Sequence, residues 1–144
     1  MKRVAIIGAG ISGLFIANLF KKTTNYKVTI FEKNNFINLE EGYGIQLSVN
    51  SIKFLNEINF NNFENDEKFT PHKINFYSNS SSNKICELNI SDFNSDNCKY
   101  TTLKRSVLIS FLKRDLKDKI KTGYSIAKID QLDQKIKLSF ENNE

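Results

Sequence analysis

The 144-residue sequence predicts an α/β fold: a parallel strand–helix–strand unit at the start of the chain, followed by an added antiparallel β layer. Three observations carry this prediction. Val4-Ala5-Ile6-Ile7 is a short, continuous apolar run, the pattern of a strand buried on both faces of a parallel sheet. Residues 11–22 place Ile11, Leu14, Phe15 and Leu19 at helical spacing. A β-rich run, Lys27-Val28-Thr29-Ile30-Phe31-Glu32, then closes the unit, and strand, helix and strand in that order make one right-handed parallel crossover.

The remaining elements follow in order. Gly13 and Ala17 lie four apart on the helix, a row of small side chains where it can approach the sheet closely. Thr23-Thr24-Asn25 is the return loop, and Asn34 to Tyr43 forms a polar loop after the second strand. Gly44-Ile45-Gln46-Leu47 reads as extended, and Asn50 or Ser51 then caps a helix carrying Ile52, Leu55 and Ile58. Residues 59–70 are polar, punctuated by Phe60, Phe63 and Phe69 without a period. Lys73–Tyr77 and Lys84–Ile90 read as strands joined by the Ser/Asn-rich turn 78–83, which makes 71–98 a β-hairpin insertion within the domain 1–144. A second amphipathic helix is expected from Leu103 or Lys104 to Lys121, with Leu108, Phe111, Leu112, Leu116 and Ile120 on one side. Gly123 stands as its C-terminal cap. Strands at Ser125–Ile129 and Lys135–Phe140 complete the pattern, and 141–144 carry no capping element.

Composition excludes several classes of function. The net charge is +5, but Arg3, Arg105 and Arg114 are the only arginines, and the lysines are interleaved with acids, as in 113–119. That pattern reads as a solvated face rather than a groove tracking phosphates, so no nucleic-acid partner is expected. No apolar run approaches the roughly 20 residues that span a bilayer. The apolar stretch after Lys2-Arg3 is broken by glycines and lacks a small-residue cleavage site, so a cytoplasmic location is expected, with peripheral membrane contact left open. Cys86 and Cys98 have neither redox nor zinc-ligand spacing, and His72 is the sole histidine, so no metal site is expected. His72 also has no recognisable partner for nucleophilic chemistry, and no catalytic acid, base or nucleophile is assigned.

The chemistry sits between the first strand and the helix, in Gly8-Ala9-Gly10-Ile11-Ser12-Gly13. A GxGxxG match alone is weak. Here it follows a strand, opens a helix, and is followed by Glu32 at the end of the next strand, the context of a Rossmann-like dinucleotide-binding unit. Gly8 permits the tight turn, Gly10 lets the backbone approach a pyrophosphate, and Gly13 lets helix and strand pack closely. The helix start supplies N–H groups and partial positive charge, to which Ile11 and Ser12 contribute. Glu32 can accept hydrogen bonds from adenosine ribose hydroxyls and would repel a 2′-phosphate. These residues do not separate FAD from NAD.

Three segments resemble the FAD-dependent aromatic-ring monooxygenases, the salicylate-, p-hydroxybenzoate- and ubiquinone-biosynthesis-hydroxylase-like enzymes. The first is Val4 to Glu32 with Lys33 beside it. The second is Gly42-Tyr43-Gly44-Ile45-Gln46-Leu47-Ser48-Val49-Asn50-Ser51, similar to the family's glycine-rich strand and helix start along the flavin, with Val49 where the family usually has proline. The third is Leu103-Lys104-Arg105-Ser106-Val107-Leu108, similar to its Arg-containing helix start. The resemblance implies an FAD-binding domain. It adds Lys33, Gly44, Ile45, Gln46 and Arg105 to the cofactor-binding residues Gly8, Gly10, Ile11, Ser12, Gly13 and Glu32. Apart from the resemblance, Arg105 stands at a helix start, where a cation gains nothing from the dipole, and its planar guanidinium suits a phosphate.

The implied activity is hydroxylation of a small aromatic or quinol-like substrate with O₂, NAD(P)H being the transient reductant. The alternatives are another FAD- or NAD-dependent oxidoreductase of the same fold, or a truncated, non-catalytic dinucleotide-binding module. Members of the family are longer, and their later Asp-Gly and Gly-Asp motifs have no counterpart in this sequence. The expectation is therefore an amino-terminal portion of such an enzyme, incomplete at its C-terminus.

Overall fold

A computed structural model describes residues 1–23, 25–39, 42–64 and 66–141. Thr24 of the return loop, Glu40 and Glu41 of the polar loop, Asn65 and the tail 142–144 lie outside the described residues. In chain order the elements are β1 (Lys2–Ile7), α1 (Ile11–Lys21), β2 (Tyr26–Glu32), β3 (Gly44–Leu47), α2 (Val49–Asn56), β4 (Lys73–Tyr77), β5 (Lys84–Asn89), β6 (Thr101–Lys104), α3 (Arg105–Lys113), β7 (Ile120–Thr122), β8 (Ile126–Leu132) and β9 (Lys135–Phe140). The chain divides into two compact units, one of residues 1–41 and 108–144 and the other of 42–107.

The first unit is built on a parallel sheet of order β1-β2-β7. Lys2 to Ile7 pair in register with Tyr26 to Phe31, and Ile30 to Glu32 pair with Ile120 to Thr122. The expected strand–helix–strand unit is therefore present, with α1 lying against β1 and β2. The core is formed by Leu14, Ala17, Val28, Ile30, Leu108, Ile109, Leu112 and Leu116, all buried. Each buried Leu or Ile contributes on the order of 1.5–3 kcal/mol. β1 itself departs from expectation. Val4 and Ile6 are half-buried, while Ala5 and Ile7 are exposed, Ile7 by 49%. The reason is position: β1 pairs with β2 alone among the described strands, whereas β2 is flanked on both edges and holds the buried Val28 and Ile30.

Asn18 ties α1 to α3. Its amide Nδ2 donates to the Leu14 carbonyl at 2.9 Å, one turn back, and to the Leu112 carbonyl at 2.8 Å. Leu112 lies in the last turn of α3, where carbonyls lack partners inside the helix. On the other side of β2, Phe31 meets Phe140 and Tyr124 at ring separations of 4.7 and 5.6 Å, which fastens the antiparallel β8–β9 hairpin to the sheet.

The second unit pairs β3 with β6, antiparallel, and adds Phe69 through mutual backbone bonds to Thr102. Its core holds Leu47, Ile52, Leu55, Ile58, Phe60, Ile90 and Leu103. Ser48, not Asn50 or Ser51, caps α2, its hydroxyl accepting the Ser51 backbone N–H at 3.5 Å. Val49 is thus the first helical residue, a position that also favours proline. The stretch after α2 lacks a period because it is ordered by single contacts. Phe60 is buried, and the Lys68 ammonium sits 4.6 Å from its ring while donating to the Phe63 carbonyl at 2.6 Å. β4 and β5 pair as an antiparallel hairpin that leaves Phe76, Ile85 and Leu88 exposed.

The long helix expected to reach Lys121 is a nine-residue helix between two strands. Thr101–Lys104 pairs with Gly44–Leu47, and Ile120–Thr122 pairs with the end of β2. β-branched residues at both ends of the segment fit an existing strand edge better than a helix, and this long-range pairing overrides the helical period. Leu108, Phe111 and Leu112 do share the buried side of α3, but Leu116 and Ile120 lie beyond it. Gly123 consequently ends β7 rather than capping a helix, with φ +77°.

Asn18→Ala leaves the Leu112 carbonyl without its side-chain donor and should lower unfolding free energy by about 1–2 kcal/mol. Ile16→Ala, at an exposed position of the same helix, should change it by less than about 0.5 kcal/mol. Urea unfolding followed by circular dichroism distinguishes the two.

Candidate functional site: the glycine turn and Glu32

The turn between β1 and α1 follows from three glycines with three separate jobs. Gly8 adopts φ +97°, a region that L side chains rarely enter, and its N–H donates to the Phe31 carbonyl at 2.7 Å. Gly13 is required by contact. A Cβ there would lie 2.0 Å from the Gly8 carbonyl oxygen and 3.3 Å from Ile6 Cγ2. Gly10 precedes α1 in an extended conformation, and a Cβ built on it meets nothing within 4 Å. No side chain caps this helix end. The first N–H groups of α1, those of Ile11 and Ser12 among them, therefore border open space beside Gly10. That is the arrangement an anion requires.

Glu32 reaches the turn. Its Oε2 accepts the Ala9 backbone N–H at 2.8 Å and its Oε1 accepts the Asn34 N–H at 3.0 Å. The Glu32 carbonyl accepts the Tyr124 N–H at 2.8 Å, which joins the exit of β7 to the same point. A carboxylate has about four acceptor sites, so two N–H donors leave capacity for a hydroxyl-bearing ligand. Lys33, next in the chain, is exposed.

Gly44, Ile45, Gln46 and Arg105 are gathered in the unit 42–107. Gly44 and Gln46 are exposed and Ile45 is half-buried, as alternation along β3 requires. Gln46 Oε1 accepts the Tyr100 hydroxyl at 2.7 Å. Arg105 opens α3 and its N–H donates to the Tyr43 carbonyl at 3.1 Å. Two partners escaped the sequence reading: Ala9, whose backbone is the Glu32 ligand, and Tyr100, which orients Gln46. Neither carries a motif signal, because one acts through its main chain and the other through a contact 54 residues away. Among the described residues no group of three or more His, Cys, Asp or Glu lies together. Cys86 and Cys98 are unpaired, and no described helix is long and apolar enough to cross a membrane.

Residues 6–38 match the family model of an NAD(P)-binding Rossmann-like domain, the stretch that contains the glycine turn and Glu32. No curated protein matches the chain. Among solved structures, HpxO of Klebsiella pneumoniae, complexed with FAD and uric acid, superposes with a TM-score of 0.83 at 14% identity, over 99% of this chain and 36% of its own. The 2,6-dihydroxypyridine-3-hydroxylase of Arthrobacter nicotinovorans gives 0.78 at 14% identity, over 99% and 34%. CtdE, in complex with FAD and a substrate, gives 0.80 at 14% identity, over 98% and 34%. The chain spans about a third of the length of these proteins, and at such identities the likeness is one of fold. The Rossmann-like α/β fold is thereby shown.

Gly13→Ala forces a methyl into the Gly8 carbonyl and should destabilise the chain by more than about 3 kcal/mol, since neither backbone segment can retreat without breaking the turn. Glu32→Ala should cost about 1–3 kcal/mol by leaving the Ala9 and Asn34 N–H groups without their carboxylate. Both losses are expected without any nucleotide present and are read by chemical denaturation.

Proposed function

We propose that the chain holds the ADP half of FAD on the turn Gly8–Gly13 and Glu32, as part of a flavin-dependent monooxygenase acting on a small aromatic or quinol-like substrate. The observation that carries this reading is the open backbone at Gly10, beside an uncapped helix start, with the Glu32 carboxylate bonded to the intervening Ala9. Pyrophosphate oxygens fit the N–H groups of the helix start, and ribose hydroxyls fit the remaining acceptor capacity of Glu32. Lys33 offers a cation beside the ribose site. Gly44, Ile45 and Gln46 offer a strand edge and an amide to the flavin, and Arg105 a planar cation to its phosphates. Bound FAD would supply the oxygen chemistry, after reduction by NAD(P)H. The protein's share is binding and orientation, and the hairpin within 71–98 begins the layer that faces the substrate. Unpaired Cys86 and Cys98 suit a reducing, cytoplasmic setting.

The fold likeness to proteins solved with FAD supports this reading. The family match to an NAD(P)-binding domain supports a second one, in which the same turn holds NAD. The Glu32 carboxylate disfavours a 2′-phosphate in either case.

Titration of the purified chain separates the two. With FAD at a hundredfold excess over its dissociation constant, stability should rise by about 2.7 kcal/mol, and Gly10→Val should abolish the gain while folding normally. Stabilisation by NAD with no response to FAD would establish the second reading instead.

A further inference from the structure

Gly42 stands outside the cofactor-binding residues, yet its backbone is shaped around one of them. Its φ is +138°, where an L side chain is strained. A Cβ at this position would stand 3.0 Å from both Cβ and Cδ of Arg105 and 3.4 Å from its Cγ. The aliphatic stem of Arg105 therefore lies along the bare main chain of residue 42. The neighbouring Tyr43 carbonyl accepts the Arg105 N–H at 3.1 Å, which continues the β3–β6 pairing one step beyond Gly44 and Lys104. Arg105 is thus held through its backbone by Tyr43 and through its stem by Gly42. A long cationic side chain loses much rotamer freedom when it engages a phosphate. A stem already laid down reduces that loss.

We propose that Gly42 is a positioning residue that presets the Arg105 side chain for the cofactor. The proposal rests on the cofactor role of Arg105 given above. A methyl at residue 42 both strains the backbone and pushes the stem away, so Gly42→Ala acts on FAD only through Arg105.

The test is a double-mutant cycle on the whole chain, with FAD affinity read by flavin fluorescence. Gly42→Ala and Arg105→Ala should each weaken binding about tenfold, the scale of a strained backbone residue. The double variant should bind no more weakly than Arg105→Ala alone. If the two losses multiply, or if Gly42→Ala binds as wild type while Arg105→Ala does not, the proposal is overturned and the role of Arg105 stands. If Arg105→Ala binds as wild type, both fall. A second measurement needs no substitution and decides the matter should Gly42→Ala not fold. In ¹⁵N relaxation of the cofactor-free wild type, the Arg105 Nε should be as ordered as the backbone amides of β3. An Arg105 Nε as mobile as a chain terminus overturns the proposal.

Discussion

The carboxyl edge of the parallel sheet is joined through one residue, Glu32. Glu32 binds the glycine turn through Ala9, the loop after β2 through Asn34, and the exit of β7 through its own carbonyl and Tyr124. Gly8 to Phe31 and Gly123 to Asn34 close the gaps on either side, at 2.7 and 2.9 Å. The glycine turn is therefore fixed by bonds within the chain. Hydrogen bonds to a carboxylate are the stronger kind: the one from Ala9 adds to the Gly8–Phe31 backbone bond in holding the turn, and the one from Asn34 holds the loop after β2. The same group keeps acceptor capacity for a ligand, so it serves the fold and the site at once.

That economy explains what the sequence made legible. Residues 1–33 form a local unit: a buried-strand run, a glycine turn, a helical period and a terminal acid all point to one arrangement, and the structure has it. The two hairpins were equally readable, because each joins neighbours in the chain across a polar turn. Residues 101–123 were not. Their apolar spacing suits a helix, and only partners distant in sequence, Gly44–Leu47 and Ile30–Glu32, turn the ends of that segment into β6 and β7. No local pattern announces an edge waiting for a strand. The exposure of β1 was hidden for a related reason: a run of four apolar residues reports a strand, not how many neighbours it has. At the site, the motif named the glycines and Glu32, whereas the Tyr100–Gln46 bond and the packing of Arg105 on Gly42 arise from folding alone.

The glycines divide by whether the fold itself needs them. Gly8, Gly42 and Gly123 have backbone angles that disfavour any other residue, and Gly13 has a carbonyl where its Cβ would stand. Gly10 and Gly44 have neither reason. Gly10 has φ −76°, Gly44 lies in a regular strand, and a Cβ on either would meet no atom within 4 Å. A glycine inside a regular element costs roughly 0.5–1 kcal/mol against alanine, because the unfolded chain has more freedom to lose. Gly44 carries that cost inside β3, whereas Gly10 stands at the N-cap of α1, where glycine is favoured over alanine. Both positions belong to the proposed cofactor-binding set, one at the helix start and one on the exposed side of β3. A ligand whose ring lies against bare backbone, as proposed above, is a physical reason for the missing Cβ at Gly44, and at Gly10 a phosphate on the open backbone would add to the preference of the helix start itself.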